Sequence, residues 1–235
     1  MQPSRRSALI VGVLFVITFV SAITGAALYT PALTDPGYVL GPGSDTMVRW
    51  GAVCEIVLAI ANIGTAVVLF PILRRVNESV ALGYVAARVM ESALIGVGIL
   101  SVLSIVTLRE SGGTDEGALL VAARSLVAVH DWTFLLGPGF LAGFGNGLLL
   151  GYLMYRSGLV PRGMALVGLI GGPLLCLSGI AVLFGWYAQD SVWSGLATLP
   201  EIVWEGFLGI WLIVKGFRPS PAAAPADARQ PRLAG

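Results

Sequence analysis

The amino-acid sequence predicts an all-α fold, a polytopic transmembrane bundle of six spans with both termini in the cytoplasm. Three observations carry this prediction. Charged residues make up 11% of the 235 positions and mean hydropathy is +0.86, whereas soluble domains carry about 25% charged residues. Apolar runs recur at the roughly 20 residues needed to cross a bilayer at about 1.5 Å per residue. Basic residues gather in alternate connections, which sets the orientation.

The first span is predicted over 8–29. Arg5 and Arg6 precede it as they would a secretory signal, but the apolar run exceeds the usual h-region of about 7–15 residues, so an uncleaved span is expected. A loop rich in Pro and Gly follows over 31–45. The second span is predicted over 47–73 and the third over 78–108. Residues 113–129 begin polar and become amphipathic, as expected of a helix lying at the interface. Asp131 then reads as the N-cap of a fourth span ending at Tyr155, since its carboxylate can accept from orphan N–H groups of a first turn. The fifth span is predicted over 162–187. The sixth is predicted over 198–217, with Pro200 in the first turn, where its missing N–H does no harm. This gives a six-helix domain over 1–217 and a disordered cytoplasmic tail over 218–235 that is rich in Pro and Ala.

Arg5, Arg6, Arg74, Arg75, Arg156, Arg162, Lys215 and Arg218 all fall on one side of this arrangement. The opposite loops hold Asp35, Asp45, Glu110, Asp115, Glu116 and Asp190, with Arg49, Arg109 and Arg124 as the basic exceptions. The positive-inside rule therefore places both termini in the cytoplasm. Trp50, Trp132, Trp186 and Trp193 near the outer boundary form an aromatic belt. Gly143, Gly147 and Gly151 recur every four residues, a face that lets helices approach closely.

Four glutamates lie inside apolar spans: Glu55, Glu91, Glu201 and Glu205. A charge at the bilayer centre costs about 2.5–3.5 kcal/mol on the gentlest insertion scale, and only Arg88 sits comparably deep. At least one carboxyl is therefore protonated or paired with something other than a protein cation. Arg88 and Glu91 are i, i+3 neighbours and can neutralise each other. Glu201 can complement a helix N-terminal dipole. Glu55, about 13 Å below the outer boundary at 1.5 Å per residue, and Glu205, one turn below Glu201, have no cation within a helical turn. Both are expected in the outer half of the membrane, beneath His130 and Asp131 at the mouth of one acidic, water-accessible cavity. Asn62 and Asn146 are expected to hydrogen-bond between helices. Pro138, between Gly137 and Gly139, predicts a kink or exposed carbonyls at this depth.

A weak internal repeat joins the halves. Val89-Met90-Glu91-Ser92-Ala93-Leu94 and Val203-Trp204-Glu205-Gly206-Phe207-Leu208 share Val-x-Glu-small-x-Leu, each in the last helix of a three-helix half. Halves of opposite orientation would make a 3+3 inverted repeat. A formal charge of +1 gives no argument for nucleic acid. Cys54 and Cys176 lack ligand spacing and read as reduced packing residues. No metal motif and no cofactor motif is present in the sequence.

Some stretches bring a resemblance. They are Arg88-x-x-Glu91, His130-Asp131-Trp132-Thr133-Phe134-Leu135-Leu136-Gly137-Pro138-Gly139, and Tyr155-Arg156-Ser157-Gly158-Leu159-Val160-Pro161-Arg162. Leu199-Pro200-Glu201-Ile202-Val203-Trp204-Glu205 and Lys215-Gly216-Phe217 complete them. They resemble the bacterial membrane family called domain of unknown function 4386, over nearly the whole chain except the tail. The resemblance implies a six-helix protein of the bacterial inner membrane and brings no activity with it.

Three functions stay in competition. In an enzyme acting on a lipid or isoprenoid-like substrate, a cyclase or isomerase, Glu205 would be the acid. Glu55 or Glu91 would then be the counter-base, with Asp131 assisting. Trp204, Glu201, His130, Arg88, Asn146 and Trp132 would surround the lipophilic or cationic ligand, Trp204 by its π-face. In a transporter coupled to protons or carrying a cation, so small a chain would work as a homodimer. In a non-catalytic subunit or sensor, the acids would only build structure. Ligand handling in the acidic cavity ranks first, with a slight lean to the enzyme.

Overall fold

A computed structural model describes residues 5–41 and 44–219. The tail from 220, with most of the segment expected to be disordered, lies outside the described residues. Six helices are long and apolar enough to cross a membrane: α1 (Arg5–Thr34), α2 (Thr46–Leu73), α3 (Glu78–Ser111), α4 (Glu116–Ser157), α5 (Arg162–Leu183) and α6 (Val192–Val214). No strand occurs among the described residues.

Local chemistry sets several of these boundaries. The Asn77 side chain accepts from Val80 N at 3.1 Å to open α3, and Asp115 accepts from Ala118 N at 3.0 Å to open α4. The Ser191 hydroxyl accepts from Ser194 N at 3.3 Å to open α6. Each satisfies one of the orphan N–H groups of a first turn. Helix α4 ends on Gly158, whose φ of 67° is the left-handed conformation that glycine adopts without strain. The last carbonyls of α6 are met from α1. Arg5 donates to Leu212 O at 2.9 Å and to Ile213 O at 2.5 Å, a cation placed where the helix dipole favours one.

The structure corrects two expected helix starts. Asp131 caps nothing: the expected interfacial helix and the fourth span are one continuous helix capped by Asp115. With 42 residues this helix is longer than the roughly 20 residues that crossing the hydrocarbon layer requires. Its first turns lie against α3, where Ser101 donates to Leu126 O at 2.5 Å. Pro200 likewise starts nothing, because α6 begins at Val192 and carries Pro200 in its interior. The triplet around Pro138 neither ends nor breaks α4. Leu135–Leu141 and Gly143–Leu150 are π-helical instead, and a wider i→i+5 turn accommodates the missing proline N–H.

Each helix packs on the next in sequence, and α6 closes the ring onto α1. The closest approaches use glycine. A Cβ on Gly12 of α1 would lie 2.7 Å from Gly209 O of α6, and one on Gly143 of α4 would lie 2.8 Å from Gly172 O of α5. The regular glycines of α4 thus serve the close packing expected of them. Outside the ring, Ile23, Ile60, Leu100, Ile170 and Ile210 are each more than 60% exposed, an apolar surface suited to lipid.

The interior is two apolar cores rather than one. The first lies toward the termini and draws on all six helices, with Phe15, Leu69, Tyr84, Leu153, Ala165 and Leu208 among its members. The second lies toward the other end and comes from α1–α4 and the loop after α1, with Tyr29, Val39, Ala52, Ile99 and Ile105. Neither α5 nor α6 contributes to it.

At this second end an ionic latch fastens the loop after α1. Arg109 pairs with Asp45, donates to Gly41 O at 3.1 Å and lies 4.4 Å above the Tyr38 ring. The Tyr38 hydroxyl donates to Asp45 at 2.5 Å. Burial, ahead of the Asp45 carboxylate, pushes this hydroxyl up from its ordinary range, so it keeps the proton it donates. Arg49 pairs with Glu110 nearby, so two of the three basic exceptions on this side are neutralised. Arg109→Ala is expected to cost about 2 kcal/mol, since it leaves the partly buried Asp45 without its cation. Chymotrypsin should then cleave after Tyr38 in folded protein, and unchanged protease resistance would show that the latch does not hold the loop.

Candidate functional site

Helical spacing brings the intramembrane polar residues to common faces. Glu55 and Asn62 are seven residues apart on α2, Arg88 and Glu91 three apart on α3, and Glu201 and Glu205 four apart on α6. Each spacing returns to the same side of its helix. These faces all turn inward, between the two apolar cores, and Arg88 and Glu201 keep only 2% and 3% of their surface.

Most of this polar layer is satisfied internally. Arg88 Nη1 donates to Glu91 Oε2 at 2.7 Å, and its Nη2 donates to Asn62 Oδ1. Asn62 Nδ2 donates to Glu91 Oε1 at 3.1 Å, closing a three-residue network between α2 and α3. Asn146 of α4 donates to Glu205 Oε1 at 2.5 Å, and Trp204 Nε1 donates to the Asn146 backbone carbonyl at 3.0 Å. Both asparagines thus bond between helices as expected.

Arg88 Nε and Asn146 Oδ1 are left over from this network, and Glu201 is left out of it altogether. Neither of its carboxyl oxygens has a hydrogen-bond partner among the described residues. A buried polar group without a partner costs about 1–3 kcal/mol, more when charged. Its place explains this. Glu201 lies about three turns into α6, so the helix N-terminus expected to complement it is out of reach. A Cβ on Gly147 would lie 2.5 Å from Glu201 Oε2, so the carboxyl occupies space left by a glycine of α4. Glu55, Glu201 and Glu205 make no ion pair among the described residues.

All four glutamates and Arg88 line one cavity of about 780 Å³, including its open mouth. Every helix contributes to the wall. Thr18, Phe19 and Ala22 come from α1, Leu58 and Asn62 from α2, and Phe134, Pro138 and Ala142 from α4. Leu175 comes from α5, and Thr198 and Ile202 from α6. An apolar wall with a few convergent polar groups is the usual make-up of a small-molecule site.

The other residues singled out from the sequence lie elsewhere. His130 is buried inside α4, edge-on to Tyr29 at 5.9 Å, and lines a small adjoining cavity with Glu55. The Asp131 carboxylate is 3.7 Å from His130 Nδ1, its side chain is 62% exposed, and it lines none of these cavities. Trp132 faces outward too. Trp204 is fully buried, with its ring against Gly168 of α5, and presents no face to the cavity. Asn146 stands behind Glu205 rather than in the wall. Glu205 lies just past the middle of α6, which starts six residues earlier than expected.

The wall also contains residues that the sequence reading passed over. Thr198 precedes Glu201 by three residues and Glu205 by seven, the same-face spacing that selects the two acids. Phe134 precedes Pro138 by four. Both signals were present, masked by the placing of helix starts at Thr198 and Asp131. Among the described residues no group of three or more His, Cys, Asp and Glu side chains could hold a metal ion.

No curated protein and no solved structure matches the chain. The family model described as Domain of unknown function (DUF4386) matches residues 10–216, most of the sequence, and the chain belongs to that family.

Proposed function

We propose that this is a multi-pass protein of the bacterial inner membrane, with its termini in the cytoplasm, that binds a small lipophilic ligand in the carboxyl-lined cavity. The observation that carries the reading is Glu201, a buried carboxyl in the cavity wall with no partner of its own. A site built to hydrogen-bond a ligand leaves buried polar groups unpaired until the ligand arrives. The surrounding Phe19, Leu58, Phe134, Leu175 and Ile202 suit an apolar body.

Acid–base chemistry on the bound molecule is a narrower form of the same reading. Glu205 is held by Asn146, and Glu91 by Arg88 and Asn62. Glu201 is therefore the carboxyl best placed to exchange a proton with a ligand, with Glu55 across the cavity as its counterpart. In such a cyclase or isomerase, Phe19 and Phe134, not Trp204, would face a developing cation.

The test is retention. Protein extracted in native lipid discs should carry a discrete lipophilic compound, seen by mass spectrometry of its solvent extract. Ala142→Phe fills the cavity and Glu201→Gln weakens its polar contact. Each should lower that compound about tenfold, a loss of about 1.4 kcal/mol of binding. Identical extracts from wild type and from both variants, all equally monodisperse, would remove the reading.

A further inference from the structure

A second cavity, of about 830 Å³ with its open mouth, lies beside the first. It begins at Gln189, Asp190 and Ser191 in the connection before α6 and runs down the helix past Ser194 to Thr198. It shares Phe134, Pro138, Leu175, Thr198 and Ile202 with the acidic cavity, so these five residues stand between the two adjoining spaces. The second space reflects how the interior is divided. The apolar core at this end is built from α1–α4 and the first loop alone, and the facing halves of α5 and α6 are left lining space.

One face of α6 connects the mouth to the acids. Ser194, Thr198, Glu201 and Glu205 follow one another at spacings of four, three and four, a single helical stripe. Asp190 stands at the mouth, and among the described residues no basic one lines the second cavity. In the first, the one cation, Arg88, is already engaged by Glu91 and Asn62. A ligand travelling this route meets carboxyls and hydroxyls on one side and Phe134, Leu175 and Ile202 on the other.

Resting on the cavity reading above, we infer that the acidic cavity is reached from the loop before α6 along this stripe, and that the route admits amphipathic cations of the alkylammonium type in preference to anions. An arriving cation favours the ionised form of the carboxyls it approaches, and clefts lined by one sign of charge between low-dielectric walls raise the local concentration of the opposite sign by about 10- to 1,000-fold. Phe134 between the two spaces adds an aromatic face for an ammonium group. Glu201, on this stripe, is a buried carboxyl with neither oxygen partnered among the described residues.

Thiol accessibility in sealed vesicles tests both halves of this inference. Cys54 and Cys176, both free, are first replaced by alanine. Single cysteines are then placed at Ser194, Thr198, Val192 at the exposed mouth and Ile210 on the lipid face. Each is treated from either side of the membrane with trimethylammonium-ethyl or sulfonatoethyl methanethiosulfonate. Thr198→Cys should react from the side that exposes Val192→Cys, with the cationic reagent about tenfold faster than the anionic one. Glu201→Gln with Glu205→Gln should reduce that ratio to the value at Val192→Cys, and Ile210→Cys should stay silent. Dodecyltrimethylammonium should slow the modification.

A silent Thr198→Cys beside a reactive Val192→Cys would overturn the route, as would reaction only from the side of the termini. Equal rates with both reagents, or no protection by the alkylammonium, would overturn the cation preference. Should Thr198→Cys fail to fold, Ser194→Cys carries the same comparison one turn higher. Compound retention is a separate readout, so a failed route with retained compound leaves the cavity reading standing. A confirmed route with identical extracts removes that reading alone.

Discussion

Arg88→Met is expected to lower stability by about 3–5 kcal/mol, the cost of leaving a buried carboxylate without its partner. Arg88 is 2% exposed and joins Glu91 and Asn62 in a closed network. Removing it strands Glu91 and frees the Asn62 carbonyl at once. Replacing the network as a whole should cost far less. Arg88→Met with Glu91→Leu should recover much of the loss, leaving about 1–3 kcal/mol for the stranded Asn62 amide. Adding Asn62→Leu should recover most of that remainder, since apolar groups of similar volume can replace a buried ion pair at little cost. Reversible unfolding in mixed micelles measures all three. A single variant within 1 kcal/mol of wild type would mean that water reaches this network freely, and its description as a buried ion pair would fail.

The same network shows how far the sequence could be read. That Arg88 faces Glu91 follows from their spacing on one helix, and the structure has them paired at 2.7 Å. That Asn62 completes the network depends on how α2 is rotated against α3, and apolar residues on every side of both helices hide that rotation. Six spans were legible from apolar length alone, but two helix starts were misread for one physical reason. Asp131 and Pro200 are residue types that favour first turns, and each stands in the interior of a helix whose true cap, Asp115 or Ser191, lies many residues upstream. Local cap chemistry is a weak signal where tertiary packing and an apolar run can extend the helix through it. The misplacement of α6 carried a second error with it. Glu201 was given a helix dipole for company, whereas three turns of helix separate it from that end. Its isolation was legible only once the structure set Gly147 of α4 against its carboxyl.

Gly147→Ala should therefore be the most costly of the glycine substitutions on α4, at about 3 kcal/mol, the upper end of what overpacking usually exacts. The added Cβ would collide with Gly172 Cα, lie 2.7 Å from Gly172 N and 2.5 Å from Glu201 Oε2. Two of those atoms belong to the backbone of α5 and cannot turn aside as a side chain would, so the helices must separate. That separation would loosen the neighbouring contact of Gly143 with Gly172 O and displace the carboxyl proposed to meet the ligand. Stability and retained compound should fall together. Gly206→Ala on α6 is the matched control, because a Cβ there meets nothing within 4 Å. In a helix interior that change should be neutral or stabilising by about 0.5–1 kcal/mol, through lower backbone entropy in the unfolded chain. The same one-methyl substitution thus carries opposite signs at two positions of one bundle, read by the same unfolding measurement. If Gly147→Ala proved as harmless as Gly206→Ala, α4 and α5 would not be in backbone contact beside Glu201, and that carboxyl would owe its isolation to something other than the glycine face of α4.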